Sequence, residues 1–156
     1  MGETFKRWYT DPVKKFIIDF SRIPSTTMVK ILPEMTDGEK RDAARYPFIN
    51  LSTLTVSVLY EDKEFVFHIP KGFRWDGATI PSFVWFIVGS KTENRYRVPS
   101  MIHDYLCNNK YVIDFDRKLS SEILRALLRV NGVAEWRVFL MYFFVELRQM
   151  FIREWS

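Results

Sequence analysis

The sequence predicts an α+β domain: a small antiparallel β-sheet or hairpin followed by a C-terminal bundle of three to four helices. Three features lead there. Residues 54–69 alternate apolar and polar side chains around a polar turn, the period of a half-buried strand pair. From Thr79 onward, apolar residues recur at helical spacing instead. Strands come first and helices last, which separates the chain from alternating βα folds.

In chain order, "TDPVKKFIIDFSRI" (residues 10–23) reads as a short helix or an extended arm. Thr10 or Asp11 can cap it, Pro12 suits the first helical position, and Val13, Phe16, Ile17 and Phe20 then share a face. "MVKIL" (28–32) reads as a strand, and the polar, turn-rich "PEMTDGEKRDAARYP" (33–47) as a loop. Leu54, Val56, Val58 and Tyr60 make one strand, "EDKE" a four-residue connection, and Phe65, Phe67 and Ile69 the returning strand. His68 then points away from the core as a sheet-surface histidine. A helix follows from Thr79 and Pro81 to Gly89, and "GSKTENRY" is a loop. The next helix starts at Pro99 or Ser100 and ends near Asn108-Asn109. A third is capped by Asp116, with Leu119, Ile123, Ala126, Leu127 and Val130 as its buried stripe, and Asn131-Gly132 stops it. The last helix runs from about Ala134 to Arg153. The chain divides at this stage into an N-terminal arm and loop (1–45) and a globular domain (46–156).

Bulk composition narrows the function classes. A chain of 156 residues, 47% hydrophobic and 27% charged, is globular and long enough for one sizeable core. Its net charge of +4 is mild. Lys71, Arg74, Lys91, Arg95 and Arg97 face only Asp76 and Glu93 in that stretch, yet no nucleic-acid reader motif accompanies them, so a nucleic-acid partner is not expected. Cys107 is the single cysteine, which excludes an internal disulfide and a multi-cysteine zinc site. The N-terminus has no apolar core of a secretory signal, and no apolar run reaches about 18 residues, so neither signal-directed secretion nor a membrane span is expected.

Two motifs hold the candidate chemistry. "GFRWDGATIPSFVW" (72–85) places Asp76 and Thr79 at a strand-to-helix corner, near free helix amides. "SMIHDYLCNN" (100–109) places His103 and Asp104 in an apolar helix, about 100° apart around its axis. Three arrangements follow. Asp76 can bridge to His103 as a structural hydrogen bond. Asp76, His103 and Asp104 can bind a divalent metal or do acid-base work. Cys107, four residues beyond His103, can pair with it as a nucleophile, although a cysteine late in a helix gains nothing from the dipole. The bridge is the expected arrangement, with no cofactor.

The most aromatic stretch is "EWRVFLMYFFVELRQMFIREW" (135–155). Trp136, Phe139, Leu140, Phe143, Leu147, Met150 and Phe151 follow helical spacing, and Val138, Met141, Tyr142 and Val145 fill part of the other side. A helix this apolar is either a simple core helix or, the favoured reading, faces the core on one side and a protein partner on the other. Trp136, Phe139, Phe143, Phe151 and Trp155 are the candidate contacts.

"FHIPKGFRWDGATIP", "MIHDYL" and "DRKLSSEILRALLRVNGVAEWRVFLMYFFV" together resemble the DUF1353 family, a domain of unknown function common in tailed bacteriophages and prophages. The likeness covers about residues 50 to 148. It marks Gly72, Phe73, Asp76, Ala78, Thr79, Pro81, His103 and Asp104 as motif positions. One departure stands out: Ser120-Ser121 occupy the place where the family often carries an acid. The resemblance implies a phage setting. The expected function is a virion or assembly protein (tail, connector or capsid-associated) that binds other phage structural proteins or itself, in the virion or the host cytoplasm during assembly. The alternatives are a metal-dependent or acid-base hydrolase directed at the cell wall or host, and a small inhibitor of a host defence protein.

Overall fold

The computed structural model describes residues 6–75, 94–108 and 117–152. β1 (Lys6–Asp11), β2 (Phe16–Phe20), β5 (Leu54–Tyr60) and β6 (Lys63–Ile69) form an antiparallel sheet in the order β1-β2-β5-β6. β3 (Thr26–Met28), β4 (Phe48–Asn50) and β7 (Arg74–Trp75) form a smaller one in the order β3-β4-β7. Helix α1 (Asp37–Arg45) lies between β3 and β4, and α2 (Asn94–Asn108), α3 (Arg117–Val130) and α4 (Glu135–Ile152) follow the sheets. Apart from α1, strands come first and helices last, the α+β arrangement that the hydrophobic periods imply.

Period-two alternation puts Phe16, Ile18 and Phe20 of β2, Val56 and Val58 of β5 and Phe67 and Ile69 of β6 on one face, all buried. Met101, Ile102 and Leu106 of α2 and Leu119, Ile123, Ala126 and Leu127 of α3 cover that face. A second apolar cluster joins Tyr96, Leu124, Leu128, Val138, Met141 and Val145. Helix α3 is therefore buried on two sides. Val130, expected in its stripe, lies 40% exposed at the helix end. The stop after it is a Schellman turn: Val133 N donates to Leu128 O and Gly132 N to Arg129 O, with Gly132 at φ +79°.

Four local expectations are corrected. Residues 10–23 are neither helix nor arm. They belong to a β1–β2 hairpin, because Phe16, Ile18 and Phe20 alternate with residues that face outward, and Val13 sits in the turn, 91% exposed. Asp11 Oδ1 accepts from Val13 N and Lys14 N there, which stabilises a turn around Pro12 in place of a helix start. β2 lies between β1 and β5, as an inner strand of the four-stranded sheet. The stretch 33–47 contains a helix, started by a capping box in which Thr36 and Glu39 exchange side-chain and backbone bonds. The third-strand pairing covers Thr26–Met28 and not Met28–Leu32. The hairpin connection is Glu61-Asp62 alone, both at positive φ (49° and 69°), with Lys63 and Glu64 in β6. That is the two-residue turn whose twist matches the strands.

Helix α2 begins at Asn94, five residues before Pro99, which sits inside it. Proline has no N–H to give the carbonyl four residues back. Here that carbonyl is Arg95 O, and Asn131 Nδ2 donates to it at 2.9 Å. The residue that ends α3 thus satisfies the acceptor that Pro99 leaves open in α2.

Candidate functional site

The motif of residues 70–75 begins as a turn. Phe73 N donates to Pro70 O at 3.1 Å, and Gly72 takes φ +91° at the third position, where a side chain is disfavoured. Asn50, almost wholly buried, clamps this turn. Its Nδ2 donates to Ile69 O and Pro70 O, its backbone carbonyl accepts from Gly72 N, and its backbone N–H donates to Phe73 O. An asparagine between apolar neighbours carries no periodic signal, and sequence reasoning missed it. Arg74 donates to Tyr46 O and to Asp42 O at the end of α1; Asp42 O also accepts from Tyr46 N.

The turn delivers Phe73 and Trp75 to α2. Trp75 is buried, and its Nε1 donates to Ser100 Oγ at 3.1 Å; Ser100 in turn donates to Arg97 O at 2.9 Å. The Phe73 ring stacks on Trp75 and meets Tyr105 edge-on, and Tyr105 stacks on Phe67. The Arg97 guanidinium lies 4.9 Å above the Phe48 ring, which itself packs against Trp75. Burial pushes the Tyr105 hydroxyl's pKa up. The two sequence motifs are therefore brought together. The residue before Asp76 is hydrogen-bonded to α2 three positions ahead of His103. Asp76, Ala78, Thr79 and Pro81 lie outside the described residues, as does the helix expected over 79–89.

His103 is 7% exposed, between Met101, Ile102 and Leu106, all fully buried. Burial lowers its pKa from 6.5 to about 4, so the imidazole is neutral at physiological pH. A neutral imidazole can donate one hydrogen bond, accept another or ligate a metal, but it is a weak base. Cys107 Sγ lies 3.7 Å from Nδ1 and 3.8 Å from Nε2. Near-equal distances mean that neither ring nitrogen points its lone pair or proton at the sulfur, which is unlike a nucleophile–base pair. Asp104 is half-buried on the next face of the helix. Among the described residues no group of three or more His, Cys, Asp or Glu could hold a metal ion. His68, on β6, is exposed and meets Thr55 Oγ1 at 2.8 Å, a sheet-surface contact.

The family's sequence profile, described as a protein of unknown function (DUF1353), matches residues 52–145. The chain belongs to the DUF1353 family. It is similar to the uncharacterized protein y4jT of Sinorhizobium fredii (strain NBRC 101917 / NGR234), with 32% identity over 116 residues. The match spans 69% of this chain and 31% of that protein, so the chain corresponds to about a third of its relative's length. No solved structure matches.

Within the DUF1353 segment, two further features stand out. Ser120 and Ser121 are fully buried, and the acid beside them, Glu122, is 8% exposed. Arg125 Nη2 reaches Glu122 Oε2, the Tyr142 hydroxyl donates to Glu122 Oε1 at 3.4 Å, and the guanidinium lies 4.7 Å over the Tyr142 ring. Burial first, then the charges of Glu122 and Glu146, raise the Tyr142 pKa. The Glu-x-x-Arg spacing within an apolar stripe was the available signal for this pair. The second feature is the outward face of α4. Val138, Met141 and Val145 are its buried side, while Trp136, Phe139 and Phe143 are 51%, 65% and 49% exposed. A groove of about 350 Å³ beside them is lined by Arg125, Arg129, Glu135, Trp136, Phe139 and Tyr142. Side chains of Phe151 and Trp155 lie outside the described residues. Among the described residues no helix is long and apolar enough to cross a membrane.

Proposed function

We propose that this protein is a phage-encoded virion or assembly component that acts by binding another structural protein of the particle. The observation that carries the reading is the row Trp136, Phe139 and Phe143, three aromatics on successive turns of α4 that the chain leaves exposed. Large aromatics beside arginine are the residue types that dominate binding energy at protein interfaces. The Arg129–Glu135 ion pair lies beside that row as a polar rim. On this reading the corner of Gly72, Phe73, Trp75 and His103 is a joint that fixes the helices against the sheets. A hydrolase built on Asp76, His103 and Asp104 draws less support, because an imidazole with a pKa of about 4 is poorly matched to proton transfer at neutral pH.

The test places a photo-cross-linking amino acid at Phe139 in the protein expressed from its native genome, followed by particle purification and mass spectrometry. The reading expects one particle protein cross-linked at Phe139, with the adduct lost when Trp136→Ala and Phe143→Ala are added. Absence of the chain from purified particles overturns it.

A further inference from the structure

The outer edge of the smaller sheet carries an inference that is independent of α4. Among the described residues β3 is an edge strand, paired to β4 alone. Ser25 O accepts from Leu51 N at 2.8 Å, and Val29 N donates to Pro47 O at 2.6 Å. Residues that bond a given neighbour alternate along an antiparallel strand. The odd-numbered residues 25, 27 and 29 therefore face β4, while Thr26 and Met28 turn their amides and carbonyls outward. Among the described residues nothing bonds to that edge. Apolar side chains at this strand and just beyond it are exposed: Met28 is 45% exposed, Ile31 54% and Leu32 42%. Folded proteins usually blunt such an edge with charge, proline or a cover, because it templates pairing with another strand.

We propose that the β3 edge pairs antiparallel with the same edge of a second copy, joining the two small sheets across a twofold axis. The sequence is self-complementary for this. Because the outward residues are even-numbered, pairing centred on Met28 sets Met28 opposite Met28, Thr26 opposite Lys30 and Thr27 opposite Val29. No like charges face one another, and the Thr27–Val29 pair is β-branched on both sides, a favourable cross-strand combination. Arg22 and Glu34 stand six residues either side of Met28, so the antiparallel arrangement brings opposite charges to the same end of the ribbon. This edge lies outside the residues matched to DUF1353, so the association belongs to this chain and not to the shared segment.

The experiment reads both the register and the state. In a Cys107→Ser background, Met28→Cys places two thiols on directly opposed residues, about 5.5 Å apart at Cα and within disulfide reach. Mild oxidation is expected to give covalent dimer from Met28→Cys and none from Lys30→Cys, whose thiols lie four residues out of register, about 13 Å apart. A mixture of the Thr26→Cys and Lys30→Cys proteins is expected to cross-link as a heterodimer. By sedimentation, the otherwise unaltered chain is expected at dimer mass. Met28→Pro, which removes the outward amide and breaks no bond to β4, is expected at monomer mass with its circular dichroism unchanged. The Trp136→Ala protein is expected to remain a dimer, which keeps this edge distinct from the α4 surface. A monomeric wild type, a dimer that survives Met28→Pro, or equal cross-linking of Met28→Cys and Lys30→Cys overturns the proposal.

Discussion

Acid sensitivity is the property that the structure sets most directly, through His103. The folded chain holds this imidazole neutral down to about pH 4, by burial, whereas in the unfolded chain it takes a proton near its ordinary value of 6.5. Between these two values the unfolded state binds more protons, so stability rises with pH across that window. The contribution is fully present above the unfolded pKa and is lost as pH falls toward the folded one. At 1.36 kcal/mol per unit, the loss is about 1 kcal/mol by about pH 5.5 and about 3 kcal/mol by about pH 4.5. For a single domain of this size that moves a urea midpoint by about 1 M. The assay is urea unfolding at several pH values for the wild type and for His103→Gln, which cannot titrate. Carboxylates contribute the same slope to both proteins, so the difference between the two curves isolates the imidazole. The variant starts lower at neutral pH, and its curve should then fall less steeply than the wild type's. If the two curves fall in parallel, His103 is not held neutral by its burial.

Three other outcomes follow from the geometry. Gly72→Ala should cost about 1–2 kcal/mol and lower the melting temperature by about 4 °C; an added Cβ meets nothing within 4 Å, so the whole cost is the positive φ, and an unchanged melt would refute it. Replacing Glu61 by Asn together with Asp62 by Gly should raise stability by about 1 kcal/mol in chemical denaturation, since both residues occupy left-handed conformations that Asn-Gly prefers. Arg125→Met should cost about 3 kcal/mol by leaving Glu122 buried without its cation, and adding Glu122→Leu should recover most of that; a double variant no better than the single would show that the pair is not coupled.

What could be read from the residues followed hydrophobic period. The β5–β6 pair, the α3 stripe and its stop at Asn131-Gly132 were legible because packing, propensity and turn chemistry agree there. The N-terminal hairpin was not. Val13, Phe16, Ile17 and Phe20 fit a helical face as well as Phe16, Ile18 and Phe20 fit a strand, and only pairing with β5 decides between them. Pro99 misdirected the start of α2, since nothing local reveals that Asn131 supplies the missing donor. Helix α1 was hidden by its polarity, although Thr36-x-x-Glu39 spelled its cap. Of the candidate site, His103 stood out as a polar group in an apolar run. Asn50 and Glu122 did not, because their importance comes from segments about 20 residues away. The expected outward side of α4 was visible, but which aromatics it carries depends on the face that α3 occupies.

The place of β2 also governs the order in which the chain can fold. This strand is made early yet fits between β1 and β5, and its outer neighbour is synthesised first while its inner neighbour comes only after α1 and β4. Until residues 54–60 exist, Phe16, Ile18 and Phe20 have no sheet to join, and the ends of a long loop must meet before their burial contributes. A nascent chain in that interval presents an apolar hairpin with one open side. The same topology makes the molecule divisible in a useful way: a fragment lacking the first hairpin exposes the inner edge of β5, and a peptide carrying residues 6–20 has the side chains that close it.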